Sequence, residues 1–279
     1  MGLEPSRPFI SQVPGPDVVV PPPVRELAGL DAVRPVWRNE LGGLTFELTG
    51  PLGARRFVKW NPRGNGIDLQ AEVSRLIWAV EYMPVPRVLD VGGDAAADWL
   101  VTTGMPGRSA VDERWRADPA TAVTAIGRGL RAMHDALPTA CCPFSWTDED
   151  RRAAPRRRAQ VDKDAPTPTE RARWHPEHGH LSWDDALAVL ADAPPPDRLV
   201  VCHGDACAPN TLVGEDGRWS AHVDLGRLGV ADRWADLSVA AWSTEWNYGP
   251  GWTPALLAAY GVESDGDRLA WYRLLWDLS

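Results

Sequence analysis

"VVCHGDACAPNTL", Val200–Leu212, sets an acid and an amide five positions apart, Asp205 and Asn210, directly after an apolar run that reads as a strand. A second acid, Asp224 in "HVDLGRLG", also follows a strand-like stretch and precedes Gly226, and the Glu215-Asp216-Gly217 turn makes the intervening chain a hairpin. One loop and one hairpin therefore bring Asp205, Asn210 and Asp224 together. Two carboxylates and an amide oxygen suit Mg²⁺, a hard cation that takes oxygen ligands and brings phosphates with it. Phosphoryl transfer from a nucleotide needs such a set: one group to orient the attacking hydroxyl, two to hold metal, and an upstream lysine for the phosphate oxygens.

Working outward, "VRPVWRNELGGLTFELTGPLGARRFVKW" (Val33–Trp60) reads as short strands joined by turns at Gly42-Gly43 and at Gly50 to Gly53. In the last strand Arg55, Phe57 and Lys59 fall on one face, because side chains alternate along a strand. "DLQAEVSRLIWAVEYM" spaces Leu69, Val73, Leu76, Ile77 and Val80 as the apolar face of a helix that Asp68 caps, with Glu72 near its start. "VPRVLDV" and "ADWLVTT" supply two further strands, and "GMPGRSA" is a turn-rich connector. Val123, Ile126, Leu130, Met133 and Leu137 then repeat at helical spacing up to Pro138, and Ser182 opens a short helix in "SWDDALAVLADAP". From Trp234 onward the chain reads as mostly helical. Residues 148–175, with Arg151, Arg152, Arg156, Arg157 and Arg158 close together, read as a solvated, mobile surface segment. Pro5, Pro8, Pro14, Pro16 and Pro21–Pro23 predict an extended arm with little regular structure.

The chain has 279 residues, enough for one large domain or two lobes. Acidic residues outnumber basic ones by 38 to 29, for a net charge of −9, which disfavours a nucleic-acid partner and suits a cationic small molecule. No apolar stretch reaches the ~18–20 residues of a membrane span, and no signal sequence opens the chain, so a cytoplasmic protein that binds no membrane is expected. The four cysteines lack a zinc-type spacing and are expected as free thiols. The 15 Trp exceed what a core of this size needs, although most should pack or cover loops.

"HGDACAPN" with "VDLGRLGVADRWADLS" resembles the aminoglycoside phosphotransferases, whose pattern reads HGD, four residues, N, then D-x-G-R-x-G-x-A-D-R-x-x-D-L. The resemblance covers the back third tightly; the front half agrees in order of elements and in "FVKW", "AEVSRLIW", "VPRVLDV" and "WLVTTGMPGRSA", and "CPF" at Cys142–Phe144 also matches. It implies an α+β, bilobal protein-kinase-like fold. A proline-rich arm (1–25) would precede a β-rich N-terminal lobe (26–103), a connector (104–110) and a mostly helical C-terminal lobe (111–279). It also implies transfer of the γ-phosphate of ATP or GTP to a hydroxyl of an aminoglycoside, of 3′ or 3″ type, by a monomer using Mg²⁺. By the same resemblance Asp205 is the catalytic base, Asn210 and Asp224 the metal ligands, Lys59 the phosphate-contacting lysine and Glu72 its ion-pair partner.

A carboxylate is a weak base, about 3.9 for Asp in model peptides, but the transition state of phosphoryl transfer is loose and the proton leaves late. The main work of such an acid is to position the hydroxyl. His203 is read as a loop-holding group, and Asp232, Arg233 and Asp236 as a network steadying the metal loop. The phosphate loop is "ELGGLTF", where Gly43, Leu44 and Thr45 could approach the phosphates through backbone amides; an ordinary hairpin turn is the alternative. The base ring is expected near Thr102 to Met105. On the acceptor side the matching positions are Glu177, Glu245 with Trp246, Asp277 and the terminal Ser279, with Arg227 near the metal and product phosphate. Arg173, His175 and His178 stand where the family is richly acidic, and Trp276 where the first acid of its ending would be, so Trp246, Trp252 and Trp276 would stack on sugar faces or belong to the core. Two other readings stay open: a kinase of another small alcohol, such as a sugar metabolite or macrolide, and a nucleotide-binding regulator without transfer activity.

Overall fold

The structure, a computed structural model, describes residue 11 and residues 13–15, 17–152 and 174–279. The chain divides into two compact units, with the boundary between Pro106 and Gly107.

The front unit opens with helix α1 (Pro22–Ala28), where the prolines predicted an extended arm through residue 25. Proline at the first helical positions gives up an N–H that would lack a partner there anyway, and its fixed φ suits the helix; burial of Val24 and Ala28 holds the turn in place. The glycine-punctuated stretch forms β1 (Ala32–Arg38), β2 (Leu44–Thr49) and β3 (Arg55–Pro62). Helix α2 (Leu69–Ala79) follows, and then β4 (Val88–Gly93) and β5 (Ala97–Thr103). The five strands make one antiparallel sheet in the order β1-β2-β3-β5-β4, which places Lys59 opposite Thr45 on one side and Leu100 on the other. Phe46, Leu48, Val58 and Val101 fill its core with Val24. Asp68 caps α2 by accepting the Gln70 and Ala71 N–H groups. One predicted core position fails: Ile77 is 59% exposed, while Glu72 is buried at 5%. The helix is rotated to aim that carboxylate at Lys59.

In the back unit, the predicted connector contains a short strand, β6 (Arg108–Ser109), and a helical turn, α3 (Glu113–Arg116), precedes α4 (Pro119–Ala136). All five apolar positions named for α4 are buried. Helix α5 (Trp183–Ala191) carries a capping box between Ser182 and Asp185. Strands β7 (Leu199–Cys202), β8 (Thr211–Val213), β9 (Trp219–His222) and β10 (Gly229–Asp232) form two small sheets, β6-β8-β9 and β10-β7. Helices α6 (Trp234–Tyr248), α7 (Thr253–Tyr260) and α8 (Gly266–Leu278) complete the unit. Trp115, Trp174, Trp183, Trp234 and Trp271 sit in its core.

Arg156, Arg157, Arg158 and Arg173 lie outside the described residues. Arg151, expected on a solvated surface, is instead buried. Its weakly hydrated guanidinium lies 5.0 Å from the centroid of the Trp146 ring and donates to Ser279 Oγ at 3.2 Å. The four cysteines are free thiols. Among the described residues no helix is long and apolar enough to cross a membrane.

Candidate active site

The β8–β9 hairpin sets Thr211 opposite His222, and the next pair outward is closed by the Val223 N–H donating to the Asn210 carbonyl at 3.0 Å. Asn210 and the residue before Asp224 are thus neighbours across the hairpin. The loop after β7 joins them: His203 Nε2 donates to the Val223 carbonyl at 3.0 Å, and a Cβ on Gly204 would overlap the Arg227 carbonyl. Gly204 also has φ of +80°, so two independent demands require glycine there. His203 Nδ1 accepts the Asp205 N–H at 3.2 Å, which fixes the ring as the neutral Nε2–H tautomer and gives it a structural task.

Behind this loop lies a fully buried carboxylate. Asp236 Oδ2 accepts the His203 N–H at 2.6 Å and His134 Nε2 at 3.0 Å, and Oδ1 accepts the Gly204 N–H at 2.9 Å. His134 Nδ1 is in turn 2.9 Å from the Tyr260 hydroxyl. Burial works against the ionised carboxyl, but the His134 hydrogen bond and charge, with His203, outweigh it and hold Asp236 below the usual carboxylate range. Asp232 accepts the Trp234 N–H at 2.9 Å at the start of α6, and Arg233 pairs with Asp197 at 2.6 Å. His134, Cys202 and Asp236 present ligand atoms within 4.8 Å of one another. Three N–H donors already occupy Asp236, and the Cys202 thiol contacts the Asp232 carbonyl at 3.3 Å, so this cluster is a hydrogen-bond network.

The candidate metal donors fit a hard cation. Asn210 Nδ2 donates to the Asp205 carbonyl at 2.9 Å, which commits the amide nitrogen and leaves its oxygen as the ligand atom. Asp205 Oδ1 is buried with no hydrogen-bond partner, an arrangement a protein keeps where another species is to bind. Asp224 has φ of +66°, alone among the described non-glycine residues in lying at positive φ. Such a conformation costs about 1–3 kcal/mol and collects at functional sites. Burial first, and then the Asp205 charge, push the Cys207 thiol well up, so no thiolate competes as a nucleophile.

In the front unit, Lys59 Nζ lies 2.7 Å from both carboxylate oxygens of Glu72. Gly43, by contrast, donates its N–H to Asn39 Oδ1 at 2.8 Å, and Leu44 and Thr45 belong to β2. The Gly43 amide is committed to a closed turn, against the expectation that it turns toward phosphate. Thr102 ends in β5 opposite Phe57, and the Met105 carbonyl accepts from Arg55 Nη2 at 2.6 Å. Because Glu72 is buried, Lys59→Met is expected to lower stability by about 2–3 kcal/mol, and adding Glu72→Gln to recover part of it. Urea unfolding of both single variants and the double variant checks this, and strict additivity would show that the pair does not interact.

The sequence matches the phosphotransferase enzyme family over residues 39–272. The chain belongs to this family. It is 36% identical over 255 residues to an aminoglycoside 3′-phosphotransferase of Streptomyces fradiae, covering 85% of this chain and 91% of that one. It is 34% identical over 278 residues to a streptomycin 3″-kinase of Streptomyces griseus, covering 94% and 97%. A solved aminoglycoside phosphotransferase of Streptomyces rimosus, in complex with ADP and streptomycin, superposes with a TM-score of 0.70 at 27% identity, covering 91% of this chain and 95% of that one. The α+β, protein-kinase-like architecture is shared with these phosphotransferases.

The positions named for the acceptor side of this phosphotransferase differ in character. Glu177 is exposed and meets Arg273 Nη1 at 3.1 Å and His175 Nδ1 at 3.3 Å. Asp277 is buried, its Oδ2 accepting the His175 N–H at 2.8 Å and lying 2.7 Å from His178 Nδ1; burial raises its pKa despite these contacts. Glu245, midway in exposure, accepts from Thr253 Oγ1 at 3.4 Å, and Trp246 rests against Trp242 with ring centroids 5.0 Å apart. Trp252 packs against the helical core. Arg227 lies between the Trp146 and Trp276 rings. The roles of His134, Tyr260 and Trp146 had no motif in the sequence; a histidine on the apolar face of α4 was the one available signal.

Proposed function

We propose that the protein transfers the γ-phosphate of ATP to a hydroxyl of an aminoglycoside, at a 3′ or 3″ position, and so inactivates the antibiotic. The observation that carries this reading is the buried, unbonded Asp205 Oδ1 beside the Asn210–Asp224 hairpin, in a chain of the phosphotransferase family. The names of the Streptomyces relatives support the acceptor class, and the ADP in the S. rimosus complex supports ATP.

In this reading the acceptor hydroxyl donates to the Asp205 carboxylate, which orients an oxygen lone pair toward phosphorus. The acceptor O–P bond forms as the bond to the bridging oxygen of the nucleotide breaks. ADP leaves with that electron pair, and the hydroxyl proton passes late to Asp205. Asn210 and Asp224 would hold Mg²⁺, which when bound neutralises charge on the phosphates. Lys59, oriented by Glu72, would contact phosphate oxygens. Glu177 and Glu245 would receive ammonium groups of the acceptor, each exchanging hydration for a charge-assisted hydrogen bond.

Purified protein incubated with kanamycin, neomycin or streptomycin and either ATP or GTP, with detection by mass, tests the proposal. The expected result is an acceptor heavier by one phosphoryl group, with ATP preferred. No such product at high enzyme concentration would overturn it.

A further inference from the structure

Arg227 follows Asp224-Leu225-Gly226, and its carbonyl packs against Gly204, the residue before Asp205. Its guanidinium is exposed, and among the described residues it has neither an ion pair nor a hydrogen bond. Two indoles hold it instead. Its central carbon lies 5.6 Å from the centroid of the Trp146 ring and 5.4 Å from that of Trp276. Both rings are fixed by backbone: the Trp146 N–H donates to the Val230 carbonyl at 3.0 Å, the Val230 N–H to the Phe144 carbonyl at 2.9 Å, and Trp276 stands on the last turn of α8.

An aromatic face attracts a guanidinium through its quadrupole without bringing a net charge. A carboxylate in the same place would cancel the positive charge. Arg227 is therefore positioned yet uncompensated, and its N–H donors are uncommitted. A second cation sharpens the effect. Arg151 rests on the same Trp146 ring, and burial, followed by the Arg227 charge, lowers its pKa to about 10. Two like charges this close are relieved only by an arriving anion. A planar fork of donors fits phosphate oxygens, and a polyamine acceptor would be repelled from this spot.

We propose that Trp146 and Trp276 are positioning residues that hold Arg227 as an unpaired cation, and that its ligand is the phosphoryl group beside Asp205, in transfer and on the product. This rests on the phosphoryl-transfer reading. Arg227 stays protonated throughout and contributes hydrogen bonds only, so the proton and bond balance of the transfer is unchanged.

Calorimetric titration of the full chain with inorganic phosphate tests the site without nucleotide or acceptor. Wild type is expected to bind, Arg227→Met and Trp276→Leu to bind at least about 10-fold more weakly, and Trp276→Phe to stay within about 3-fold of wild type. In turnover, Arg227→Met is expected to lower kcat about 100-fold with acceptor KM nearly unchanged. No binding by wild type, or equal binding by wild type and Arg227→Met, would overturn the proposal. Phe behaving as badly as Leu would overturn the role of the indole face. If Trp276→Leu fails to fold, the Arg227→Met and Trp276→Phe arms decide. A failed acceptor screen with this order of phosphate affinities would remove the substrate reading and leave the anion site standing.

Discussion

Asp205→Asn is expected to lower kcat about 10³-fold while leaving the melting temperature unchanged or slightly raised. Loss of a positioned acid–base group costs about 10²–10⁴ in rate. Asparagine keeps the shape but offers one acceptor oxygen in place of two and cannot take the hydroxyl proton. The stability half of the expectation separates function from architecture. In the folded protein Asp205 Oδ1 is buried without a hydrogen bond, so its charge is a burden on the fold, and neutralising it removes a desolvation penalty. The backbone contacts of Asp205, its N–H to His203 Nδ1 and its carbonyl to Asn210 Nδ2, do not involve the side chain and survive the change. Steady-state kinetics with a thermal melt check both halves. A variant with more than a tenth of wild-type kcat, or one that is destabilised by several kcal/mol, would show that Asp205 is a structural residue.

The elements legible in sequence were those whose cause is local. Glycine pairs and alternating apolar residues marked β1 to β3, Asp68 and Ser182 marked helix starts through their own backbone contacts, and the spacing in α4 identified its buried face. What stayed hidden depends on partners far along the chain. Ile77 and Glu72 exchange their expected places because Lys59, on another element, supplies a charge that makes burying a carboxylate favourable. Strand β10 was not read, because a four-residue run gains its identity only by pairing with β7. Arg151 looked solvated among its charged neighbours, and nothing local signals that Trp146 and Ser279 take it in. The site divides in the same way: the spacing of Asp205, Asn210 and Asp224 was visible because one hairpin joins them, whereas the ring pair around Arg227 comes from Trp146 and Trp276, which lie on either side of it in sequence at long range.

Asp236→Asn is expected to destabilise the back unit by about 3–5 kcal/mol, the usual effect of breaking a buried charged network on one side. The substitution is isosteric, so lost volume is not the cause. Each carboxylate oxygen faces a backbone donor: Oδ1 the Gly204 N–H, Oδ2 the His203 N–H. An asparagine must put its NH₂ at one of these positions, so either orientation aims an N–H at a backbone N–H. Those amides cannot change tautomer or turn to water, since the site is fully buried. The damage reaches the reaction as well, because His203 and Gly204 fix the backbone that carries Asp205; kcat should fall even under conditions where the variant is folded. Acidity is expected to reproduce part of this in the wild type. Asp236 has a folded pKa below its unfolded value, so its contribution is present above the unfolded carboxylate pKa of about 3.9 and is lost as pH falls through the folded one. Urea unfolding of wild type and Asp236→Asn from pH 7 downward should show the gap between them narrowing as the carboxylate protonates. A gap below 1 kcal/mol at pH 7 would mean that the loop holds its shape without Asp236.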